Sequence, residues 1–174
     1  MVRIKSHIFR CLAVLILLGT EFVFKLQAQQ QSGLLPDIIV EKSVAGTEFP
    51  IVSIDQSTAS IRYDANDYKG VIRAITDLQN DINSVTSQKP GLLTSESAKD
   101  YEIVIGTIGK SKWIDALVKN KKLDVRGLKG KWESFVITTI DNPQLGTKKC
   151  LLIVGSDKRG TIYGIYELAQ QLGV

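Results

Sequence analysis

Apolar residues recur along this chain with two periods, and the switches between them predict its elements. Val71, Ile75, Leu78, Ile82 and Val85 are spaced by four, three, four and three residues. That spacing puts one apolar stripe on a long amphipathic helix over roughly residues 67–87. The cap-rich run Asp64-Ala65-Asn66-Asp67 precedes it, and Lys89-Pro90-Gly91 stops it. Shorter β-branched and apolar runs predict strands. Phe49–Ile54 and Ser57–Tyr63 read as a close hairpin, and Tyr101–Gly106 as a central strand. Glu133–Ile140 and Lys149–Gly155 read as an antiparallel pair joined by Asp141-Asn142-Pro143 and Gly146. Ser111 stands where it can cap a second helix through about Asn120, with Trp113, Ile114, Leu117 and Val118 facing inward. A last helix is expected from about Gly160 to Leu172, with Ile162, Ile165, Tyr166, Leu168, Ala169 and Leu172 near one side and Gly173 closing it.

The resulting order, β-β-α-β-α-β-β-α, predicts an α/β (α+β) fold. The expected form is a two-layer sandwich whose helices pack on a mixed, mostly antiparallel sheet. Residues 46–174 form the expected domain, and 29–45 a flexible lead-in. Residues 1–28 have the order of a secretory signal peptide: Arg3, Lys5 and Arg10, then the apolar run Cys11–Gly19, then Leu26-Gln27-Ala28. The apolar run is too short to span a bilayer. The expectation is export to the periplasm or the extracellular space, with no membrane association once the leader is removed. The chain stops at Val174, one residue after the predicted cap, and so reads as a domain of a longer protein.

Removing the leader changes the chemistry. The full chain holds 22 Lys and Arg against 18 Asp and Glu. Four of those bases and one acid lie in residues 1–28, which leaves 18 against 17 and a net charge of +1. No global basic field remains to attract nucleic acid. His7, Met1 and Cys11 all lie in the leader, so the remainder has no histidine and Cys150 alone. A Ser-His or Cys-His nucleophile system is therefore excluded, as are a usual zinc site and an internal disulfide. No metal and no cofactor is expected. Cys150, inside an apolar strand, reads as a small buried hydrophobe.

Gly106-Thr107-Ile108-Gly109-Lys110-Ser111 imitates a phosphate-binding loop, but Val104 stands where its first glycine would be needed. A tight strand-to-helix turn is the better reading. Asp64 and Asp67 read as helix caps, Asp77 and Asp81 as helix-surface charge, and Lys119–Lys122 as a solvated helix end. Trp132, in Gly130-Lys131-Trp132-Glu133-Ser134-Phe135, is suited to stacking on a sugar ring, plugging the sheet or filling an interface. The most informative stretch is Gly155-Ser156-Asp157-Lys158-Arg159-Gly160-Thr161-Ile162-Tyr163-Gly164. It leaves a strand and enters a helix, and it brings donors and two cations to a helix N-terminus, where anions are stabilised. A capped turn with Asp157 on the backbone and Lys158 and Arg159 in solvent fits the same residues. Gly164 allows the helix to pack closely.

Residues 155–168, followed by Gln171-Leu172-Gly173-Val174, closely resemble glycoside hydrolase family 115, and Gly130–Phe135 resembles it at the matching place upstream. The looser Arg-Gly-x-x-Tyr-Gly-x-x-x-Leu pattern, met from Arg159 to Leu168, also resembles N-terminal domains of other exo-acting glycosidases, including β-hexosaminidases and the other α-glucuronidase family. The resemblance to family 115 implies the N-terminal α/β domain of a xylan α-glucuronidase. Such an enzyme removes glucuronic acid or its 4-O-methyl ether from glucuronoxylan with inversion, using an acid and a base far enough apart to admit a water. It also implies a catalytic barrel in cis that carries those acids, so no catalytic residue is assigned here and the chain alone is expected to be inactive. Ser156, Asp157, Lys158 and Arg159 are candidates for shaping the substrate cleft or a domain interface, and Trp132 for sugar stacking or an interface. The implied partners are a glucuronoxylan-type polysaccharide and the barrel, with a homodimer of the full-length protein left open. A carbohydrate-binding or interdomain packing module, or an accessory domain of a hexosaminidase-like glycosidase, is the alternative.

Overall fold

A computed structural model describes residues 49–53, 57–96, 99–141, 143 and 147–174. The expected leader and lead-in, residues 1–45, lie outside the described residues. The elements are β1 (Ser60–Arg62), α1 (Lys69–Thr86), β2 (Leu92–Leu93), β3 (Tyr101–Thr107), α2 (Lys112–Lys119), β4 (Phe135–Asp141), β5 (Lys149–Gly155) and α3 (Lys158–Gln171). The five strands form one sheet in the order β2-β1-β3-β5-β4.

The mixed sheet and α/β sandwich are as expected, but the pairing is not mostly antiparallel. β1 runs parallel to β2 and to β3, and β3 parallel to β5; only β4 and β5 pair antiparallel. The reason is that α1 acts as a crossover, which returns the chain to the sheet in the same direction, whereas the chain after α2 comes back as β4 against the direction of β3 and β5. The expected hairpin at 49–63 is reduced to an isolated antiparallel bridge, Val52 to Thr58. β1 already has a partner on each edge, so the segment before it finds no free edge. The two-residue strand β2 takes the outer place instead; Ile54 lies outside the described residues.

Strand alternation sends apolar side chains to both faces. On one face Ile61, Ile103, Ile105, Leu151 and Ile153 pack with Val71, Ile75, Leu78 and Ile82 of α1 and Ile165 and Leu168 of α3. On the other, Val104, Cys150, Leu152 and Val154 pack with Trp113, Ile114 and Leu117 of α2 and with Leu123, Val125 and Leu128 of the loop after it. The single helical layer expected from the sequence is thus joined by a second one, formed by α2. The predicted inward stripes mostly hold. Val85 is the exception on α1, at 48% exposed, and Tyr166 on α3, at 46%.

The opposite face also holds a buried ion pair. Arg62 Nε and Nη2 each lie 2.6 Å from one Glu102 oxygen, with both side chains fully buried. Arg62 Nη1 donates to the Ser95 carbonyl, and the guanidinium stacks 4.9 Å from the Trp113 ring. Removing a guanidinium and a carboxylate from water costs several kcal/mol each, which this bidentate geometry and the carbonyl offset.

Candidate functional site

The C-terminal ends of β3 and β5 lie side by side, and α2 and α3 leave them toward opposite faces of the sheet. In open α/β sheets such a divergence opens a crevice that often receives a ligand. Here the chain's own polar groups occupy it. Thr107 Oγ1 and Thr161 Oγ1 are 2.7 Å apart and buried, and Thr161 Oγ1 donates to the Asp157 carbonyl at 2.9 Å. The Ile108 amide donates to the Gly155 carbonyl at 3.0 Å. Gly155 is required by this closure, because a Cβ there would overlap the backbone of Thr161.

The neighbouring divergence, between β1 and β3, is filled by two carboxylates. Asp67 Oδ2 accepts from the Thr107 amide at 2.8 Å, and Oδ1 from Tyr68 at 2.7 Å. Asp64 Oδ1 accepts from Asn66 at 2.9 Å, and Oδ2 from Lys112 at 2.8 Å. Asp64 therefore caps α2, 48 residues downstream, rather than α1 as expected. Burial pushes the Asp64 carboxyl up, but the amides of Asn66 and Lys112 outweigh it and hold the group below its ordinary range. Ser111 sits at the N-cap position of α2 without a side-chain cap bond. The glycine-rich turn before it presents no open cradle: the Gly109 amide donates to Asp115, and those of Lys110 and Ser111 to the Thr107 carbonyl.

The stretch from Gly155 to Gly160 is a closed, capped turn. Asp157 is the N-cap of α3, and its Oδ1 accepts from the Gly160 amide at 2.8 Å. Its Oδ2 accepts from the Glu133 amide at 2.8 Å, tying α3 to the loop before β4. These two amides, that of Glu133 first, hold the Asp157 carboxyl below its ordinary value. Ser156 doubles the tie: its amide donates to the Ser134 carbonyl at 2.8 Å, and its Oγ accepts from the Ser134 amide at 3.1 Å. A Cβ at Gly160 would overlap that same carbonyl, and one at Gly164 would lie 2.8 Å from Ile153 Cγ2. The anion at this helix N-terminus is thus the protein's own carboxylate.

The two cations of the turn differ. Arg159 Nη1 pairs with Glu133 at 2.8 Å, and Nη2 donates to the Tyr163 hydroxyl at 2.9 Å. Lys158 is exposed and enters no ion pair among the described residues. Trp132 belongs to the same cluster through Glu133 and Ser134, and its carbonyl accepts from Ser134 Oγ at 3.0 Å. It is 86% exposed, which removes the reading that it plugs the sheet. All five candidates from the sequence therefore gather at one end of the sheet. Glu133, the partner of both Asp157 and Arg159, was missed, since nothing in its local sequence points 24 residues ahead. Arg62 and Glu102 were missed too, although an isolated charge in each of two apolar strands is a signal of buried pairing.

Cys150 is buried, and that burial pushes its thiol up to about 11. Among the described residues no group of His, Cys, Asp and Glu is arranged to hold a metal ion. Nor is any helix among them long and apolar enough to cross a membrane.

The class so defined is a small α/β sandwich domain whose sheet-end crevices are closed by its own polar groups. The chain belongs to the family described as the glycosyl hydrolase family 67 N-terminus, whose model matches residues 54–168. This is the family level reached by the looser arginine-glycine-tyrosine-glycine pattern. Among solved structures, one described as a family 115 4-O-methyl-α-glucuronidase with specificity for decorated arabinogalactans is similar, with 29% sequence identity and a TM-score of 0.54. The match covers 67% of this chain and 13% of that one. The comparison with curated proteins returned no match.

Proposed function

We propose that this chain is the N-terminal accessory domain of an exported α-glucuronidase of glycoside hydrolase family 115. The parent enzyme would release glucuronic acid or its 4-O-methyl ether from glucuronoxylan, with inversion, through acids carried by a catalytic barrel in cis. The observation that carries this reading is the double tie between Glu133-Ser134 and Ser156-Asp157. It joins the two stretches on which the resemblance to family 115 rests into one rigid surface. The similarity to a family 115 α-glucuronidase over 67% of the chain supports the same reading. Closed crevices at the sheet end suit a supporting rather than a catalytic role. In this reading the surface around Ser156–Arg159 faces the barrel and helps to shape its cleft, with Lys158 as the cation available to the uronate carboxylate.

The test is to read the coding frame beyond the codon for Val174, express the whole product and assay uronic acid release from glucuronoxylan. A frame encoding a barrel-length segment, with release of the uronic acid, is the expected result. A stop codon there, or a complete product without that activity, overturns the reading.

A further inference from the structure

Trp132 is 86% exposed, yet the peptide that joins it to Glu133 is fixed at both its oxygen and its N–H. Its carbonyl is held by Ser134 Oγ, and the next amide, that of Glu133, by Asp157. The segment is bent as well: Gly130 has φ +78° and Glu133 φ +53°, a left-handed conformation that is unfavourable for glutamate. A large apolar ring presented to water on a strained, cross-tied loop is the arrangement of a recognition site rather than of a solvated turn.

The charges around it show what is recognised. Lys129 and Lys131 flank the turn that leads to Trp132, and the bonds from the Lys129 amide to Val125 and from the Lys131 amide to Leu128 fix that turn. Lys158 follows Asp157, whose carboxylate holds the Glu133 amide. All three lysines are exposed, and none enters an ion pair among the described residues. Residues 119–131 hold six basic residues against the single acid Asp124, which is taken by Arg126. Six of the 22 Lys and Arg of the chain thus fall in the stretch that leads directly to Trp132, the one exposed tryptophan among the described residues.

We infer that Trp132, with Lys129, Lys131 and Lys158, forms a binding surface for an anionic, uronate-bearing polysaccharide. The indole face stacks on the apolar face of a pyranose ring, and the lysines meet carboxylates on that residue or on its neighbours. The site lies on the accessory domain and needs no catalytic barrel. That the ligand is an anionic saccharide follows from the exposed ring, the lysines and the glycosyl hydrolase family, while the choice of a uronate as its anion rests on the proposed function.

The test is affinity electrophoresis of the full 174-residue chain through gels containing 4-O-methylglucuronoxylan, or the same polymer after reduction of its carboxyl groups to alcohols. Retardation by the native polymer is expected, much reduced by the carboxyl-reduced one and by about 0.5 M NaCl, where screening is strong. Trp132→Ala is expected to weaken binding about tenfold, the order of one lost aromatic stacking contact. Lys129→Gln/Lys131→Gln/Lys158→Gln should remove the preference for the native polymer. Ligand should also protect one of the two tryptophans from acrylamide quenching, and this protection should vanish in Trp132→Ala. Absence of retardation, equal retardation of Trp132→Ala, or equally tight binding of single-stranded poly-dT overturns the proposal. These results are independent of whether a parent enzyme releases uronic acid, so the two readings fail separately.

Discussion

The carboxylate of Asp157 accepts a hydrogen bond from the backbone amide of Glu133, 24 residues upstream, at 2.8 Å, while its other oxygen caps α3. One side chain thus satisfies a helix terminus and fixes the loop that presents Trp132. Asp157→Ala removes both acceptors at once and is expected to cost about 2–3 kcal/mol, the sum of a lost cap and a lost tertiary hydrogen bond. Asp157→Asn keeps one acceptor oxygen and should cost about 1 kcal/mol. Urea unfolding of the two variants checks the order.

The pH dependence follows from the same carboxylate. Asp157 and Asp64 are both held below the ordinary aspartate value of about 3.9 in the folded chain. Their contribution is therefore full above pH of about 4 and is lost as pH falls through their lowered folded-state values. Stability measured between pH of about 6 and 2.5 should fall at the acid end, and Asp157→Asn should flatten part of that fall. An unchanged acid limb in the variant would contradict the assignment.

Gly160 lies against the Ser134 carbonyl with no room for a methyl group. Gly160→Ala forces α3 away from the loop before β4 and is expected to destabilise by about 1–3 kcal/mol. Thermal unfolding measures the loss.

Arg62 and Glu102 satisfy each other inside the layer between the sheet and α2. Glu102→Gln or Arg62→Met leaves one buried charge without its partner and should cost about 3–5 kcal/mol. Arg62→Met combined with Glu102→Leu removes both charges and should be less damaging than either single change. A double-mutant cycle in urea gives the coupling directly.

In a full-length parent enzyme, Lys158→Ala should raise KM with kcat little changed, because it removes a binding contact rather than a reacting group. Arg159→Ala should act mainly on stability, since its guanidinium is held by Glu133 and Tyr163. Wild-type KM in a folded Lys158→Ala enzyme would remove Ser156–Arg159 from the cleft. Cys150 gives a simple control on the fold: with its thiol pushed up to about 11 by burial, it should resist labelling at neutral pH until the chain is unfolded.

The sequence by itself determined the elements whose signals are local. The apolar spacing from Val71 to Ile82 marks α1 because side chains three and four apart share a helix face. Lys149–Gly155 is read with its observed bounds because an uninterrupted apolar run suits a strand buried on both faces. The pairing of β4 with β5 follows from the short connection between them. The turn around Asp157 was legible for the same reason, since a cap and its amide stand three residues apart. Tertiary structure decided what depends on distant partners. That β1 runs parallel to β3 and leaves no edge for residues 49–53 is set by the crossover of α1, which no local pattern states. That Asp64 caps α2, that Arg62 meets Glu102 and that Glu133 binds Asp157 and Arg159 are contacts over 24 to 48 residues, and only the folded sheet brings them within hydrogen-bond reach. Local propensity acts over a few bonds of the chain, whereas a buried polar group takes whichever partner the packed layers place beside it.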